Sequence, residues 1–489
     1  MRFPFFLSTR FCLLALFSLL SGGCAMLASA PDLSQRQVSV ETPGAWRQPA
    51  PKADDAHPPD LAEWWRRLND PQLNALIDRG LDNAPDARAA RIRLRQARLS
   101  RDVTAAGWWP GLNFSAGANR SPGSGSATQT HYNAGFDASW EPDIFGGVRH
   151  AVEGAERDLA AQEARLDDVR VTLAAEIARN YVEYRATQER LDIARKNTES
   201  QEETLFITRW RAEAGLVTAL DVEQASAALE QTRASIPTLE NTLVASRHRL
   251  DVLLGLAPGS LFAELEAARP LPDAPEAIAI GIPSEALRRR PDIRAAEQVL
   301  LAETARIRER VAARYPSLRL SGSFGWQDTR FAALGSSDAI VRSLAASLAA
   351  TLFDGGRIQD QIDIQDAVQE QALVSYEQTL LAALEDVENA LSSYATGRQR
   401  EASRARAALS ARNAATLASQ MYQTGLADFQ KVLDTQRSQL SSEDGLVTAR
   451  SDILIAIIQL YKALGGGWEA LPEADSETIP ATIPDESPS

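Results

Sequence analysis

Lysine, histidine, methionine and cysteine are all scarce in this chain, and each shortage removes a class of chemistry. The lysines stand only at positions 52, 196, 431 and 462 and none follows a glycine, so no Walker-type phosphate loop exists. His57, His131, His150 and His248 sit on separate stretches without paired spacing, which gives no zinc pattern. Methionine occurs only at 1, 26 and 421, too sparsely to line a copper path. Of the cysteines, Cys12 falls in the leader, leaving Cys24 alone and no internal disulfide even for an exported protein. Aromatic residues make up 6% of the chain, which favours thin, close helix packing over one thick core. A net charge of −14, with no basic cluster interleaved with aromatics, argues against a nucleic-acid partner. No catalytic constellation emerges, so the expectation is a protein that is not an enzyme and needs no cofactor or metal.

What is present begins with an export signal. Arg2 and Arg10 precede an apolar run, Phe11 to Leu20, that is too short to span a bilayer, and residues 1–23 read as a signal peptide. Two cleavage sites compete. Leu20-Ser21-Gly22-Gly23-Cys24 resembles a lipoprotein box, with Ser21 where such boxes usually have Leu; Ala28-Ser29-Ala30 resembles an ordinary site but is followed directly by Pro31. Proline just after the cut is unfavourable, which favours acylation of Cys24. Several acyl chains would anchor the protein stably, and Ala25, in place of Asp, resembles the sorting pattern for the outer membrane.

From Trp64 to Trp468 the chain then says nearly the same thing twice. Pro85-Asp86-Ala87-Arg88 returns as Pro291-Asp292-Ile293-Arg294, and Trp109-Pro110-Gly111-Leu112 as Tyr315-Pro316-Ser317-Leu318, both 206 positions later (85 to 291, 110 to 316). Ala214-Gly215-Leu216 and Leu254-Gly255 return as Thr424-Gly425-Leu426 and Leu464-Gly465, 210 positions later (215 to 425, 254 to 464). A period this long marks a duplicated domain, not a solenoid. The expected organisation is a lipid-anchored extended arm over 24–62, a first repeat over 63–270 and a second over 271–468. A disordered acidic tail over 469–489 follows.

Each repeat predicts a helix, a strand pair and a long helical hairpin. The first helices are expected from Pro71 to Gly107 and from Ser284 to Arg314. The strand pairs fall at 110–141 and 316–353. In the first, Leu112, Phe114, Ala116 and Ala118, then Tyr132, Ala134, Phe136, Ala138 and Trp140, alternate with polar residues. In the second, Leu318, Leu320, Phe324 and Trp326, then Leu344, Ala346, Leu348, Ala350 and Leu352, do the same. Any one such strand fits an ordinary half-solvated sheet; four of them in an exported chain predict a membrane β-barrel, apolar towards lipid and polar towards a lumen. Segments 121–126 and 334–338 are then the outward loops.

The hairpins at 147–255 and 356–464 carry seven-residue spacing: Leu159, Leu166, Leu173, then Ile177, Tyr184, Leu191, and in the other copy Leu373, Leu380, Val387, Tyr394. That is the coiled-coil period, with a stutter from Leu173 to Ile177. At ~1.5 Å per residue such a helix runs about 100 Å. Gly215 and Gly425 break each long helix and begin a return helix, while Gly465-Gly466-Gly467 reads as a helix terminator. Four strands cannot close, and an open edge in lipid leaves backbone groups unpaired. The chain is therefore expected to oligomerise, three copies giving twelve strands.

Five stretches carry a family resemblance. They are Trp64-Trp65 with Leu68-Asn69-Asp70-Pro71-Gln72-Leu73, Arg290-Pro291-Asp292-Ile293-Arg294-Ala295-Ala296, Leu352-Phe353-Asp354-Gly355-Gly356-Arg357, Val432-Leu433-Asp434-Thr435-Gln436-Arg437 and Ala463-Leu464-Gly465-Gly466-Gly467-Trp468. Over roughly Glu63 to Trp468 the chain resembles the TolC-like outer-membrane factors, specifically the NodT/OprM-type lipoproteins. The resemblance implies an α+β membrane protein and a homotrimer. Its β-barrel, four strands per chain and twelve in the trimer, lies in outer-membrane lipid and is continued into the periplasm by an α-helical coiled-coil barrel. It also implies docking on a periplasmic adaptor and an inner-membrane pump of the RND type, with the chain as the passive exit duct for small molecules. The hairpin tips, Gly215, Leu216, Val217, Thr218, Gly425 and Leu426, are the implied docking points.

At those tips the family places inward-facing acids at a constriction, which nominates Asp221 and Asp434 as a periplasmic gate, with Arg209 and Arg211 as candidate partners. Without the resemblance both acids read as solvated helix residues. Lys431 occupies in the second copy the place of Asp221, so a doubly acidic ring is not expected there. Within the duct class, drug efflux, metal-cation efflux and type I protein secretion remain open. Outside it stand a structural coiled-coil protein of the envelope and a periplasmic adaptor, neither of which needs duplicated barrel strands.

Overall fold

A computed structural model describes residues 39–40, 43–47, 61–122, 128–275 and 283–468. The signal peptide, Cys24, most of the arm, loop residues 123–127 and the acidic tail lie outside them. The chain divides into two compact units. Among the described residues, one is built of Ser100–Arg157 and Leu300–Val374, the other mainly of residues 61–99, 158–275, 283–299 and 375–468.

The helices and strands follow the duplicated order. The first repeat runs α1 (Pro71–Asn83), α2 (Pro85–Ala105), β1 (Gly111–Pro122), β2 (Thr128–Trp140), α3 (Gly147–Glu213) and α4 (Ala219–Leu253), followed by the single turn α5 (Phe262–Leu265). The second runs α6 (Pro283–Arg289), α7 (Pro291–Ala312), β3 (Ser317–Asp328), β4 (Ile340–Ala349), α8 (Arg357–Gln423) and α9 (Phe429–Ala463). The long helices α3 and α8 are each 67 residues and the return helices α4 and α9 each 35, so the copies match in length.

Two expectations are corrected. The helices read as continuous from Pro71 to Gly107 and from Ser284 to Arg314 are each two helices, broken at Ala84 and Arg290. The cause is the proline that follows: its ring pushes the preceding residue out of the helical region, and Ala84 takes φ −54°, ψ 139°. Strand β4 stops at Ala349, so Ala350 and Leu352 continue the alternation without being in the sheet. Its neighbour supplies the reason, since Ala349 pairs with Ser317, where β3 begins, and no ladder partner lies beyond.

In the strand unit the order β1-β2-β3-β4 is antiparallel throughout, and β1 and β4 are hydrogen-bonded on one side only. Register brings the apolar residues onto one face: Leu112 opposite Ala138, Phe114 opposite Phe136, Phe136 opposite Phe324, Ala134 opposite Trp326, and Leu318 opposite Leu348. Asn113 with Asp137, Asp137 with Ser323 and Ser323 with Ser343 line the other. The apolar face is bare of its own chain, with Leu344 90% and Leu348 71% exposed. Where the two hairpins join, Gly135 faces Gly325. A Cβ on Gly325 would lie 2.6 Å from the Ala134 carbonyl oxygen and 2.7 Å from the Gly135 Cα, so only glycine fits this close approach. Among the described residues no helix is long and apolar enough to cross a membrane.

The helical unit holds the main core. The indole of Trp64 stacks on Tyr461 at 5.2 Å and meets Trp65 edge-on at 5.8 Å, all three rings buried. Asp70 caps α1 through the amides of Gln72 and Leu73, and its other oxygen accepts from the Tyr181 hydroxyl at 2.7 Å. Of the coiled-coil seam, Leu166, Leu173, Ile177, Tyr184, Leu191, Leu380, Val387 and Tyr394 are buried as their spacing predicts, while Leu159 and Leu373 are only half-buried. At each proline break a glycine turn from the end of the same repeat presses in. The Gly255 Cβ direction meets the Asn83 carbonyl oxygen at 3.0 Å, and that of Gly465 meets the Arg290 Cα at 3.1 Å. Arg290 then donates to the Ala463 carbonyl oxygen at 2.9 Å, closing the end of α9, and is held by Asp292 and Asp386.

Candidate gate at the two hairpin tips

Both tips are built by the same device. The chain leaves α3 through Gly215 at φ +70° and α8 through Gly425 at φ +78°, a left-handed conformation that costs other residues about 1–2 kcal/mol. Nothing lies within 4 Å of a Cβ on either glycine, so backbone angle alone demands them. The Leu216 amide donates back to the Arg211 carbonyl oxygen at 2.8 Å, and Leu426 donates to Met421 at 2.8 Å, the six-to-one bond that seals a helix C-terminus. Leu216 and Leu426 are left pointing outward, 72% and 74% exposed.

The return helices start differently. Thr218 caps α4 in a reciprocal box: its hydroxyl accepts from the Asp221 amide at 3.3 Å. The Asp221 carboxylate accepts from the Thr218 amide at 2.9 Å and its hydroxyl at 2.8 Å. In the second tip Asp428 caps α9 by accepting from the Lys431 amide at 2.9 Å, and the third helical position is Lys431, not an acid. Asp221 therefore already has a structural task that Lys431 does not share. Asp434 lies one turn further on α9, exposed, accepting from the Gln430 side chain at 3.0 Å.

The two tips pack on each other. Leu205, Ala225, Ala228 and Leu229 from the first hairpin form one buried cluster with Tyr422, Phe429, Val432 and Leu433 from the second. Polar groups stitch its flank: Gln436 donates to Thr204 at 2.9 Å, and the hydroxyls of Thr208 and Tyr422 are 3.2 Å apart. Arg211 does not meet either acid. It donates to the Gln423 carbonyl oxygen at 2.9 Å, with its guanidinium 4.3 Å from the centre of the Tyr422 ring, and so ties one tip to the other. Arg209 is exposed on α3. The Thr218-x-x-Asp221 pattern was a readable cap signal; the Arg211 bridge, spanning two hairpins far apart in sequence, left no local trace.

The chain matches the family described as outer membrane efflux protein twice, over residues 76–256 and 282–466, one match per repeat. It is 34% identical over 468 residues to the pyoverdine export outer membrane protein OpmQ of Pseudomonas aeruginosa, covering 92% of this chain and 96% of that relative. Among solved structures, the outer-membrane channel OprN superimposes with a TM-score of 0.83 at 36% identity, over 90% of this chain and 99% of that one. The open-state MtrE outer membrane channel of Neisseria gonorrhoeae gives a TM-score of 0.81 at 27% identity, over 90% and 98%. The doubled match, the exposed apolar sheet and the paired hairpins agree: this chain belongs to the outer membrane efflux protein family.

Proposed function

We propose that three copies of this chain join edge to edge through β4 and β1 into a closed twelve-stranded barrel. The trimer then serves as the passive exit duct of a tripartite efflux system for small organic molecules. The observation that carries this is the four-stranded sheet with one bare apolar face and two unpaired edges. In lipid each unpaired amide or carbonyl costs several kcal/mol, so a single copy is untenable there and closure removes every edge. Pyoverdine export is the activity named for the relative OpmQ; it supports a small-molecule cargo here, with selectivity left to the pump.

On the inner side, the tips at Gly215, Leu216, Val217, Thr218, Gly425 and Leu426 receive a periplasmic adaptor that links the duct to an RND-type pump. Their support is the pair of leucines held outward on rigid glycine turns. Asp221 and Asp434 ring the constriction and draw divalent cations towards it. Cys24 carries the acyl chains that hold the arm to the outer membrane.

Sedimentation of detergent-extracted protein tests the assembly: a trimer is expected, and a stable folded monomer refutes it. Bilayer conductance tests the gate. Asp221→Asn combined with Asp434→Asn should lose block by divalent cations added on the tip side and conduct more; unchanged block and conductance place the barrier elsewhere. Mass spectrometry of the mature terminus tests the anchor, since Cys24→Ser should abolish lipid labelling and an unmodified terminus at Pro31 would refute it.

A further inference from the structure

The apolar face of the sheet carries two arginines where alternation calls for apolar residues. Arg120 continues the series Leu112, Phe114, Ala116, Ala118 on β1, and Arg342 interrupts the series Ile340, Leu344, Ala346, Leu348 on β4. Their cross-strand neighbours, Thr130 and Phe324, supply no counter-charge. Both arginines are exposed, and among the described residues neither forms an ion pair. Nearby acids are engaged: Asp328 accepts from the Arg330 amide at 2.8 Å with the Arg330 guanidinium 3.9 Å away, and Asp338 accepts from Ser337. On the same face β2 and β3 bear no arginine at all.

Each arginine lies two positions from the loop end of its strand, β1 ending at Pro122 and β4 beginning at Ile340. Aromatic rings gather at that end: Tyr132 packs edge-on against Phe331 at 5.6 Å, and Phe324 against Trp326 at 5.6 Å. Such a girdle marks a membrane interface, where a lipid-facing charge is cheap compared with mid-depth.

Both arginines also sit on the two free edges. If β4 of one protomer pairs with β1 of the next, as the assembly reading requires, Arg342 and Arg120 meet at the loop end of every seam. Like charges side by side on a lipid-facing surface repel, and a phosphate reached by two guanidinium forks relieves both. We infer that each seam between protomers holds a phosphate-bearing lipid of the outer leaflet, clamped between Arg342 of one chain and Arg120 of the next. The lipid then bridges subunits at the place where the barrel has no covalent continuity.

Native mass spectrometry of the full-length protein, extracted in detergent, tests this with added diphosphorylated lipid A and with the same lipid after enzymatic removal of its phosphates. The parent trimer should retain the phosphorylated lipid, up to three per assembly. Retention should fall about fivefold or more in Arg120→Gln/Arg342→Gln. The dephosphorylated lipid should be shed by both. Equal retention by parent and variant, or equal retention of both lipids, with the trimer mass intact, overturns the clamp. A monomeric mass in the same spectrum would instead sink the assembly reading, and the seam with it.

Discussion

The carboxylate of Asp221 is observed in a cap and proposed for a gate, and the two tasks come apart under substitution. Asp221→Ala removes the acceptor for the Thr218 amide and hydroxyl, bonds of 2.9 and 2.8 Å. The site is half-buried, so water replaces part of what is lost, and a cap of this kind contributes about 1 kcal/mol. With tenfold per 1.4 kcal/mol, local opening of the first turn of α4 should rise about fivefold. Native-state hydrogen exchange over residues 216–224 reads this directly: those amides should exchange about fivefold faster, while residues 426–432, capped by Asp428, keep their rate. Asp428→Ala should give the mirror image. Asp221→Asn keeps an acceptor oxygen and should leave exchange nearly unchanged, whereas Thr218→Ala loses the cap and keeps the charge. If exchange at 216–224 is the same in Asp221→Ala as in the parent, the cap does not operate in the assembled protein and the reasoning fails. If Thr218→Ala shifts divalent block as much as Asp221→Asn does, tip order sets the barrier, not carboxylate charge.

Other substitutions probe the frame. Trp64→Ala empties a fully buried site stacked on Tyr461 and should cost about 3–5 kcal/mol, lowering the midpoint of thermal unfolding; a change under 1 kcal/mol would show that the stack is not a core element. Gly325→Ala places a methyl against the β2 backbone and should weaken the β2–β3 ladder, seen as faster exchange at residues 132–140; normal protection there would refute the close approach. Burial, reinforced by nearby Asp292, pushes the Asp168 carboxyl above the usual range. A carboxyl raised in the fold contributes stability below its unfolded pKa and loses it as pH rises through the folded value. Asp168→Asn should therefore raise the unfolding temperature at pH 7, with the gain vanishing as pH falls into the ordinary carboxylate range; a gain independent of pH would refute a charge effect.

Spacing made most of the fold legible, because helices and strands impose periods that a sequence must obey. The 67-residue helices and their glycine ends could be placed to within a residue or two. Breaks at Ala84 and Arg290 went unread although both prolines were in view, since apolar periodicity carries on across them and only the pre-proline clash stops the helix. Likewise the alternation through Leu352 outlasts β4, for a strand ends where its partner does, which is a fact about β3. At the tips, glycines and acids were visible as types. What the acids touch was not, because Arg211 reaching Gln423 and Gln436 reaching Thr204 join residues more than 200 positions apart.

The glycine turns wedged into the proline breaks bear on how the chain acquires its structure. Gly255 meets the break before Pro85, and Gly465 the break before Pro291, so each junction ties positions roughly 170 apart (85 to 255, 291 to 465). Loop-closure entropy grows only logarithmically, so the distance is thermodynamically tolerable, but it is slow to search. An exported chain emerges from its N-terminal end, and the first half can latch only after nearly all of it has crossed. The second half must then wait for the final helix. Pulse-labelled exchange during refolding should show the amides of Asn83, Ala84 and Gly255 becoming protected together and late, and early protection at Ala84 would contradict this order. Until then both hairpins are exposed, a vulnerable interval that a holdase chaperone is suited to cover.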